Sequence, residues 1–135
     1  MFVRRLDHVN IRTDDLPATI RFYTEVLGMT CTPVPGDADT RHRAWIYSSD
    51  NLPVVHVGVE DLRGLRGEAA NPDEPPAFGS GSVDHVAFEC TGREGLVARL
   101  EAAQVPYHHN YVAAVDLHQI FVKDPNGVTL ELNFR

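Results

Sequence analysis

The chain has 135 residues, 43% of them apolar and 23% charged, which predicts one folded domain and excludes both a second full-sized domain and wholesale disorder. Its 12 Lys and Arg against 19 Asp and Glu give a formal net charge of −7, which argues against a nucleic-acid partner. No apolar run approaches the ~20 residues of a membrane span, and charged residues interrupt the start of the chain. We therefore expect a cytoplasmic protein with no membrane partner.

The first predicted strand is repeated later in the chain. Leu6–Ile11 alternates apolar and polar residues, and Val83–Phe88 repeats its pattern, including an Asp-His-Val core in each copy. The two histidines, His8 and His85, are 77 positions apart (85 − 8). An internal repeat of this length predicts two copies of one structural unit.

The first copy continues with a helix and three strands. The helix is expected to begin at Asp14 or Asp15, which can cap it, with Pro17 in its first turn and Gly28 at its end. The expected strands are Thr30–Val34, Ala44–Ser48 and Pro53–Val59.

The second copy has the same order of elements. Glu60–Ser82 is rich in Gly, Pro and acidic residues, which favours a solvated linker, although a lid over a site is the alternative. A helix is expected over Arg93–Ala103, and an Asp-Pro-Asn-Gly turn at 124–127 joins the last two strands. The predicted domain, 1–135, thus has a first βαβββ module at about 1–60, a linker at about 60–82 and a second module at about 83–135. The remaining strands are expected at Tyr107–Val112, His118–Lys123 and Val128–Phe134.

Side-chain alternation along the strands separates an apolar face from a polar face. Val9 and Ile11 oppose His8, and the valines of the fourth strand oppose His56. The equivalent strands of the second copy place His85 and Glu131 opposite apolar residues. If the two sheets form an open barrel with helices outside, these four metal-competent side chains converge, which favours a divalent metal site over a purely structural network.

The sequence resembles the vicinal oxygen chelate superfamily, which includes glyoxalase I, extradiol dioxygenases and bleomycin-resistance proteins. The resemblance runs nearly from end to end, through Leu6–Val9, Phe22–Gly28, Val83–Phe88 and Phe121–Leu132. It implies an α+β fold of two tandem βαβββ modules, the glyoxalase/bleomycin-resistance/dihydroxybiphenyl-dioxygenase fold. It also implies a site that binds neighbouring oxygens of a small-molecule substrate through one divalent metal, Fe²⁺, Ni²⁺, Zn²⁺ or Mn²⁺.

Carried over by position, the resemblance implies that His8, His85 and Glu131 are metal ligands. His56 falls where glyoxalases often carry a glutamate ligand and where extradiol dioxygenases place a histidine for proton transfer, so it is a ligand or an acid/base. Glu131 and His56 are the candidate catalytic residues. Extradiol enzymes have tyrosine where Phe121 stands, and glyoxalases often have glutamate where His56 stands. The sequence therefore departs from both patterns, and dioxygenase and glyoxalase-like lyase or isomerase chemistry both remain open.

A non-enzymatic alternative is a metal-free drug- or metabolite-binding protein like those of bleomycin resistance. The complete ligand set favours the enzyme. The family often forms homodimers, so we expect a dimer, with the site within one chain or between two. Six further residues are candidate substrate contacts: Asn10, Trp45, Tyr47, Tyr107, His109 and Tyr111.

Overall fold

The computed structural model describes residues 1–71 and 73–135 and contains two four-stranded sheets. The chain divides into two compact units, residues 1–24 with 28–76 and residues 25–27 with 77–135. Each unit holds one sheet. No helix in the part of the chain that the structure describes is long and apolar enough to cross a membrane.

The first unit contains the first predicted copy. Its sheet has the order β1-β4-β3-β2, in which β1 pairs parallel with β4 and the other two pairings are antiparallel. Helix α1 packs against β3 and β4. The elements are β1 (Val9–Arg12), α1 (Leu16–Arg21) with a π-helical turn over Phe22–Val26, β2 (Thr30–Pro33), β3 (Arg43–Tyr47) and β4 (Val55–Gly58).

Helix α1 begins where the sequence predicts. The Asp15 carboxylate accepts a hydrogen bond from the Ala18 amide at 2.9 Å, which satisfies one of the free N–H groups of the first turn. Pro17 lies in that turn, where its missing N–H costs nothing. Gly28 follows the π-helical turn with φ +75°, a conformation that ends helices and favours glycine.

The segment after β4 is more organised than its composition predicts. Asp61 caps a 3₁₀ helix over Leu62–Arg66, and Arg63 donates hydrogen bonds to both Asp61 and Glu74. Arg12 of β1 donates to the Glu74 carbonyl at 2.8 Å. These contacts hold Asp61, Arg63 and Glu74 of the predicted linker or lid against the end of β1.

The second unit repeats the first. Its sheet has the order β5-β8-β7-β6, with β5 parallel to β8 and the remaining pairs antiparallel. The prediction of two tandem βαβββ modules and an α+β fold is therefore confirmed. The elements are β5 (Val86–Cys90), α2 (Arg93–Ala102), β6 (Tyr107–Val112), a 3₁₀ turn over Ala113–Val115, β7 (Leu117–Lys123) and β8 (Thr129–Phe134).

The apolar faces follow the predicted alternation. In β4, Val55 and Val57 are buried and flank the half-buried His56. In β8, Leu130, Leu132 and Phe134 are buried, with half-buried residues between them. The side of each sheet opposite these apolar residues is called its polar face below.

The turn between β7 and β8 is built around the buried Asp124. Its carboxylate accepts hydrogen bonds from the backbone amides of Asn126 and Val128 at 2.8 and 2.9 Å. The Asn126 side-chain amide donates to the same carboxylate at 3.2 Å. Gly127 then takes φ +78°, which few other residues adopt without strain.

Asp124→Ala is expected to destabilise the protein by about 2–4 kcal/mol, because two buried backbone amides lose their acceptor. Urea unfolding followed by circular dichroism measures this change. Asp14→Ala, which removes an exposed carboxylate ahead of α1, is the control and should change stability by no more than about 0.5 kcal/mol. Equal stabilities for the two variants would contradict this account of the turn.

Candidate functional site

The polar face of the first sheet carries three of the sequence-predicted site residues side by side. Strand register places Asn10 opposite His56, and His56 opposite Trp45. His8 immediately precedes β1 and is two residues from Asn10, so it lies on the same face.

The ring of His56 lies between two other rings. It stacks on His8 with centroids 3.8 Å apart and on Trp45 with centroids 4.7 Å apart. Its Nε2 atom is buried and has no hydrogen-bond partner among residues 1–71 and 73–135. Burial, and then the neighbouring His8, lower the pKa of His56, which favours the neutral imidazole. A neutral imidazole with an unused nitrogen can bind a metal ion or accept a proton.

Each repeated histidine is oriented by the aspartate that precedes it. His8 Nδ1 lies 2.6 Å from the Asp7 carboxylate, and His85 Nδ1 lies 2.8 Å from the Asp84 carboxylate. Since a carboxylate only accepts, Nδ1 is assigned as the donor in both pairs. The hydrogen bond from His8 lowers the pKa of Asp7. The pKa of His85 is raised by its hydrogen bond to Asp84 and, to a smaller extent, by the charge of Glu131.

These Asp-His pairs resemble the arrangement in which a carboxylate fixes the tautomer of a metal-binding histidine and leaves Nε2 for the ion. Sequence reasoning missed the role of the aspartates. The signal was present, because an aspartate precedes the histidine in both copies of the repeat.

The polar face of the second sheet brings His85 and Glu131 together. His85 Nε2 and Glu131 Oε2 are 3.2 Å apart, and their side chains are 36% and 13% exposed. Two ligands of one zinc-like ion, each at about 2.0–2.1 Å, also lie about 3 Å apart. The spacing of this pair therefore suits binding to a common cation.

Two side-chain amides fix the other oxygen of Glu131. Gln119 and Asn133 donate to Glu131 Oε1 at 2.9 and 2.8 Å. Asn110 in turn donates to the Gln119 side-chain oxygen at 2.8 Å. With Oε1 occupied, Oε2 is the oxygen that faces His85. Sequence reasoning missed these amides. The one available signal was the position of Asn133, which is two residues from Glu131 and therefore shares its face of the strand.

Phe121 lies beside this pair. It is opposite Glu131 in the strand register, and its ring meets the ring of His85 edge to face at 6.4 Å. A phenyl ring has no hydroxyl, so this position supplies neither a hydrogen bond nor a proton to the polar face.

The three candidate contacts of β6 do not lie on the polar face of the second sheet. Tyr107, His109 and Tyr111 do share one face of the strand, as the sequence predicts. Register sets His109 opposite Ile120, however, and Ile120 opposite Leu132, on the apolar side of the sheet. Tyr111 stacks on His118 at 4.5 Å, and Tyr107 donates a hydrogen bond to Glu101. These three residues therefore lie on the side of the second sheet opposite Glu131, and their role as substrate contacts stays a prediction.

The remaining candidates lie on the polar face of the first sheet. Asn10 is exposed, and Trp45 covers one side of the His56 ring. Tyr47 is two residues from Trp45 on the same strand, and Thr32 donates a hydrogen bond to its hydroxyl oxygen at 3.4 Å. These side chains form an aromatic and polar wall beside the histidines.

Each polar face carries a pair of side chains of the kind that bind divalent metals. One unit supplies two imidazoles, His8 and His56, and the other supplies the imidazole of His85 and the carboxylate of Glu131. Within the described residues, no group of three or more His, Cys, Asp or Glu side chains is clustered so as to hold an ion. The polar faces thus carry two pairs of suitable ligands, one in each unit.

Comparison with known proteins identifies the family. The chain is 28% identical to lactoylglutathione lyase of Pseudomonas putida over an alignment of 152 residues that covers 93% of this chain and 82% of the relative.

Two solved structures share the fold. One is a glyoxylase/bleomycin resistance protein/dioxygenase domain from Frankia sp. EAN1pec, with a TM-score of 0.69, 18% identity, and coverage of 98% of this chain and 93% of that one. The other is a genomically encoded fosfomycin resistance protein from Listeria monocytogenes, with a TM-score of 0.66, 13% identity, and coverage of 99% and 95%. A family model matches residues 5–132, and the chain therefore belongs to the Glyoxalase/Bleomycin resistance protein/Dioxygenase superfamily.

Proposed function

We propose that the protein is a metal-dependent enzyme of lyase or isomerase type that moves a proton next to neighbouring oxygens of a small molecule. The observation that carries this proposal is the pair formed by His85 Nε2 and Glu131 Oε2 at 3.2 Å. The repeat-related residues of the first unit, His8 and His56, form a second pair of potential ligands.

In this proposal His8, His85 and Glu131 hold one divalent ion. Asp7 and Asp84 fix the two histidine rings so that Nε2 is the ligating atom. The two amide hydrogen bonds to Oε1 leave Glu131 Oε2 as its ligating oxygen. When bound there, the ion would supply Lewis acidity, which would stabilise negative charge on the substrate oxygens.

His56 is the proposed proton carrier. Stacking on both faces fixes its ring, so chemistry is left to the ring edge, where Nε2 has no partner among the described residues. A neutral imidazole accepts a proton at this atom and returns it from the same position. His56→Gln is expected to retain the metal and to lose activity. Loss of the metal as well would instead make His56 a fourth ligand.

Two observations favour proton transfer over ring cleavage by oxygen. Phe121 stands where extradiol dioxygenases have a tyrosine, so the polar face lacks that hydroxyl. The similarity to a lactoylglutathione lyase supports the lyase class. The substrate is accordingly proposed to be a carbonyl compound with an adjacent oxygen.

The first test of this proposal is metal content. We expect the purified protein to bind Ni²⁺ or Zn²⁺ with one ion per site, and His85→Ala to weaken binding about a hundredfold or more, because even indirect supports of a ligand contribute 10–100-fold. His42→Ala, which removes an exposed histidine outside the pairs, should bind as the parent does. Elemental analysis and calorimetric titration of metal-free protein measure both.

The second test is the reaction. A hemithioacetal assay with Ni²⁺ or Zn²⁺, run beside oxygen uptake on catechol with Fe²⁺, separates the two enzyme classes. Turnover in the oxygen assay alone would overturn the assignment to lyase or isomerase chemistry. If the protein bound no divalent metal near neutral pH, the proposal that it is a metal-dependent enzyme would be overturned. That result would favour metal-free binding of a small molecule beside Trp45.

The assembly is proposed to be a homodimer, as is common in the family. Sedimentation equilibrium gives its mass, and the metal stoichiometry then gives the number of sites in each assembly. A monomer that binds a full equivalent of metal would overturn the dimer and would show that one chain forms the whole site.

A further inference from the structure

Two further histidines lie together on the side of the second sheet that the proposed function does not use. His109 is in β6 and His118 is in β7, and we call them the β6–β7 histidine pair. His118 is opposite Phe134 of β8, whose buried side chain belongs to the apolar face. Because residues three apart on a strand face opposite sides, the pair lies on the other side of the sheet from Glu131.

The two rings of the β6–β7 histidine pair bring one nitrogen each together. His109 Nε2 and His118 Nδ1 are 3.1 Å apart, and the ring planes are inclined by only 11°. Two nitrogen ligands of one zinc-like ion, each at about 2.0–2.1 Å, also lie about 3 Å apart. The spacing therefore suits one ion bound by both rings.

The hydrogen bond between these nitrogens is the state that an ion would replace. A neutral imidazole has one N–H donor and one acceptor nitrogen, so one ring donates to the other, and the tautomers are assigned from this contact. If the donor ring carries its proton on the far nitrogen instead, both near nitrogens present lone pairs. A metal ion then takes the place of the shared proton, and the pair as a whole releases none.

Both ligand atoms can be reached from solvent. His109 is exposed, His118 is half-buried, and the contact between them lies at the surface of the second unit. β6 is the edge strand of its sheet, so no further strand of that sheet covers this side of the pair. A hydrated ion can therefore approach the two nitrogens without a change of fold.

The ring of His118 is held in place before any ion binds. Tyr111 stacks on it with centroids 4.5 Å apart, and the Tyr111 hydroxyl donates a hydrogen bond to Asp116 at 2.9 Å. A ligand whose ring is already restrained loses less conformational entropy on binding. The pKa of His118 is lowered by burial, then by the charge of Arg93 and then by His109, while Asp116 acts in the opposite direction. The neutral imidazole, which is the form that binds metals, is thereby favoured.

We propose that His109 and His118 bind one divalent transition-metal ion of the Zn²⁺, Ni²⁺ and Cu²⁺ class. Imidazole nitrogen suits these ions, and water can fill the positions that two protein ligands leave open. Such an ion links the edge strand β6 to the inner strand β7. Because an ion that binds only the folded protein stabilises it, the bound ion should also raise the unfolding temperature.

The test is a titration with Zn²⁺ alone, followed by the ring-nitrogen chemical shifts of the histidines. We expect His109 Nε2 and His118 Nδ1 to shift together and to saturate at one ion per chain. His109→Ala should weaken Zn²⁺ binding at His118 by about tenfold or more, because even indirect supports of a metal ligand contribute 10–100-fold. Far-UV circular dichroism checks that this variant is folded.

The neighbouring histidine supplies a matched control. His108 is exposed and adjacent to His109, and it is opposite Phe121 on the polar face. His108→Ala should leave the shifts of the pair and their midpoint unchanged. Equal Zn²⁺ affinities for the parent and His109→Ala, or ring nitrogens of the pair that do not shift at a large excess of Zn²⁺, would overturn the proposal.

The β6–β7 histidine pair is independent of the proposed metal chemistry, because the two sets of ligands lie on opposite sides of the sheet. In His85→Ala the pair should still respond to Zn²⁺ as it does in the parent. Calorimetry of the parent should show two classes of Zn²⁺ site, and His109→Ala should retain only the one that involves His85 and Glu131. The two proposals can therefore fail separately.

Discussion

Glu131→Ala is expected to weaken metal binding strongly and to abolish activity while the protein remains folded. The side chain lies on the polar face, 13% exposed, where its Oε2 meets His85 and its Oε1 accepts from two amides. Its removal takes away the single carboxylate of the proposed ligand set and leaves only imidazoles. We expect metal affinity to fall about a hundredfold or more, because even indirect supports of a ligand contribute 10–100-fold.

Calorimetric titration with Ni²⁺ measures this change, and urea unfolding of the metal-free protein shows that the fold persists. Glu131→Gln refines the result, since it keeps the shape of the side chain and removes its charge. We expect Glu131→Gln to lose metal binding as well. Metal affinity within threefold of the parent in both variants would remove Glu131 from the site.

Leu130 is the residue before Glu131, and Leu130→Ala is expected to lower stability while leaving metal binding unchanged. Leu130 is 1% exposed and lies in β8, an inner strand of the second sheet, opposite Val86 and Val122. Deleting its branched end leaves a cavity in the apolar layer, which costs about 2–5 kcal/mol. The free energy of unfolding from urea titration measures this loss, and the variant that remains folded should bind metal as the parent does.

The two variants are controls for each other because adjacent residues of a strand face opposite sides of the sheet. A shift of one residue in the register of β8 would exchange their environments. If Leu130→Ala impaired metal binding and Glu131→Ala lowered stability by several kcal/mol, the assignment of the two faces would be reversed.

The faces of four strands could be predicted from the sequence because each carries a continuous set of apolar residues at a spacing of two. Val55 and Val57 define the orientation of His56, and Leu130 and Leu132 define that of Glu131. The order of elements followed from the repeat and from local signals such as the Asp15 cap.

The strand β6 shows where this reasoning fails. Its sequence, Tyr-His-His-Asn-Tyr-Val, has polar groups at both parities, so neither face is marked as apolar. Alternation correctly groups Tyr107, His109 and Tyr111, yet only the pairing with β7 shows that they share the side of Ile120. Register between strands depends on the partner strand, which local periodicity does not specify.

Side-chain networks were equally inaccessible from sequence. Composition predicts a solvated linker after β4. In the structure, however, Arg63 donates hydrogen bonds both to Asp61 and to Glu74, which is 11 residues further along the chain. The amides around Glu131 come from three different strands, so their meeting depends on rotamers and register together.

The amide hydrogen bonds to Glu131 have an energetic consequence for any ligand that its free oxygen binds. An unrestrained side chain loses conformational entropy when a ligand immobilises it, at about 0.5–1.5 kcal/mol for each such side chain. Gln119 and Asn133 restrict Glu131 already in the folded protein, with donor distances of 2.9 and 2.8 Å. The entropy of this side chain is therefore lost during folding and not on binding. A ligand at Oε2 then binds with a more favourable free energy than it would at an unrestrained carboxylate.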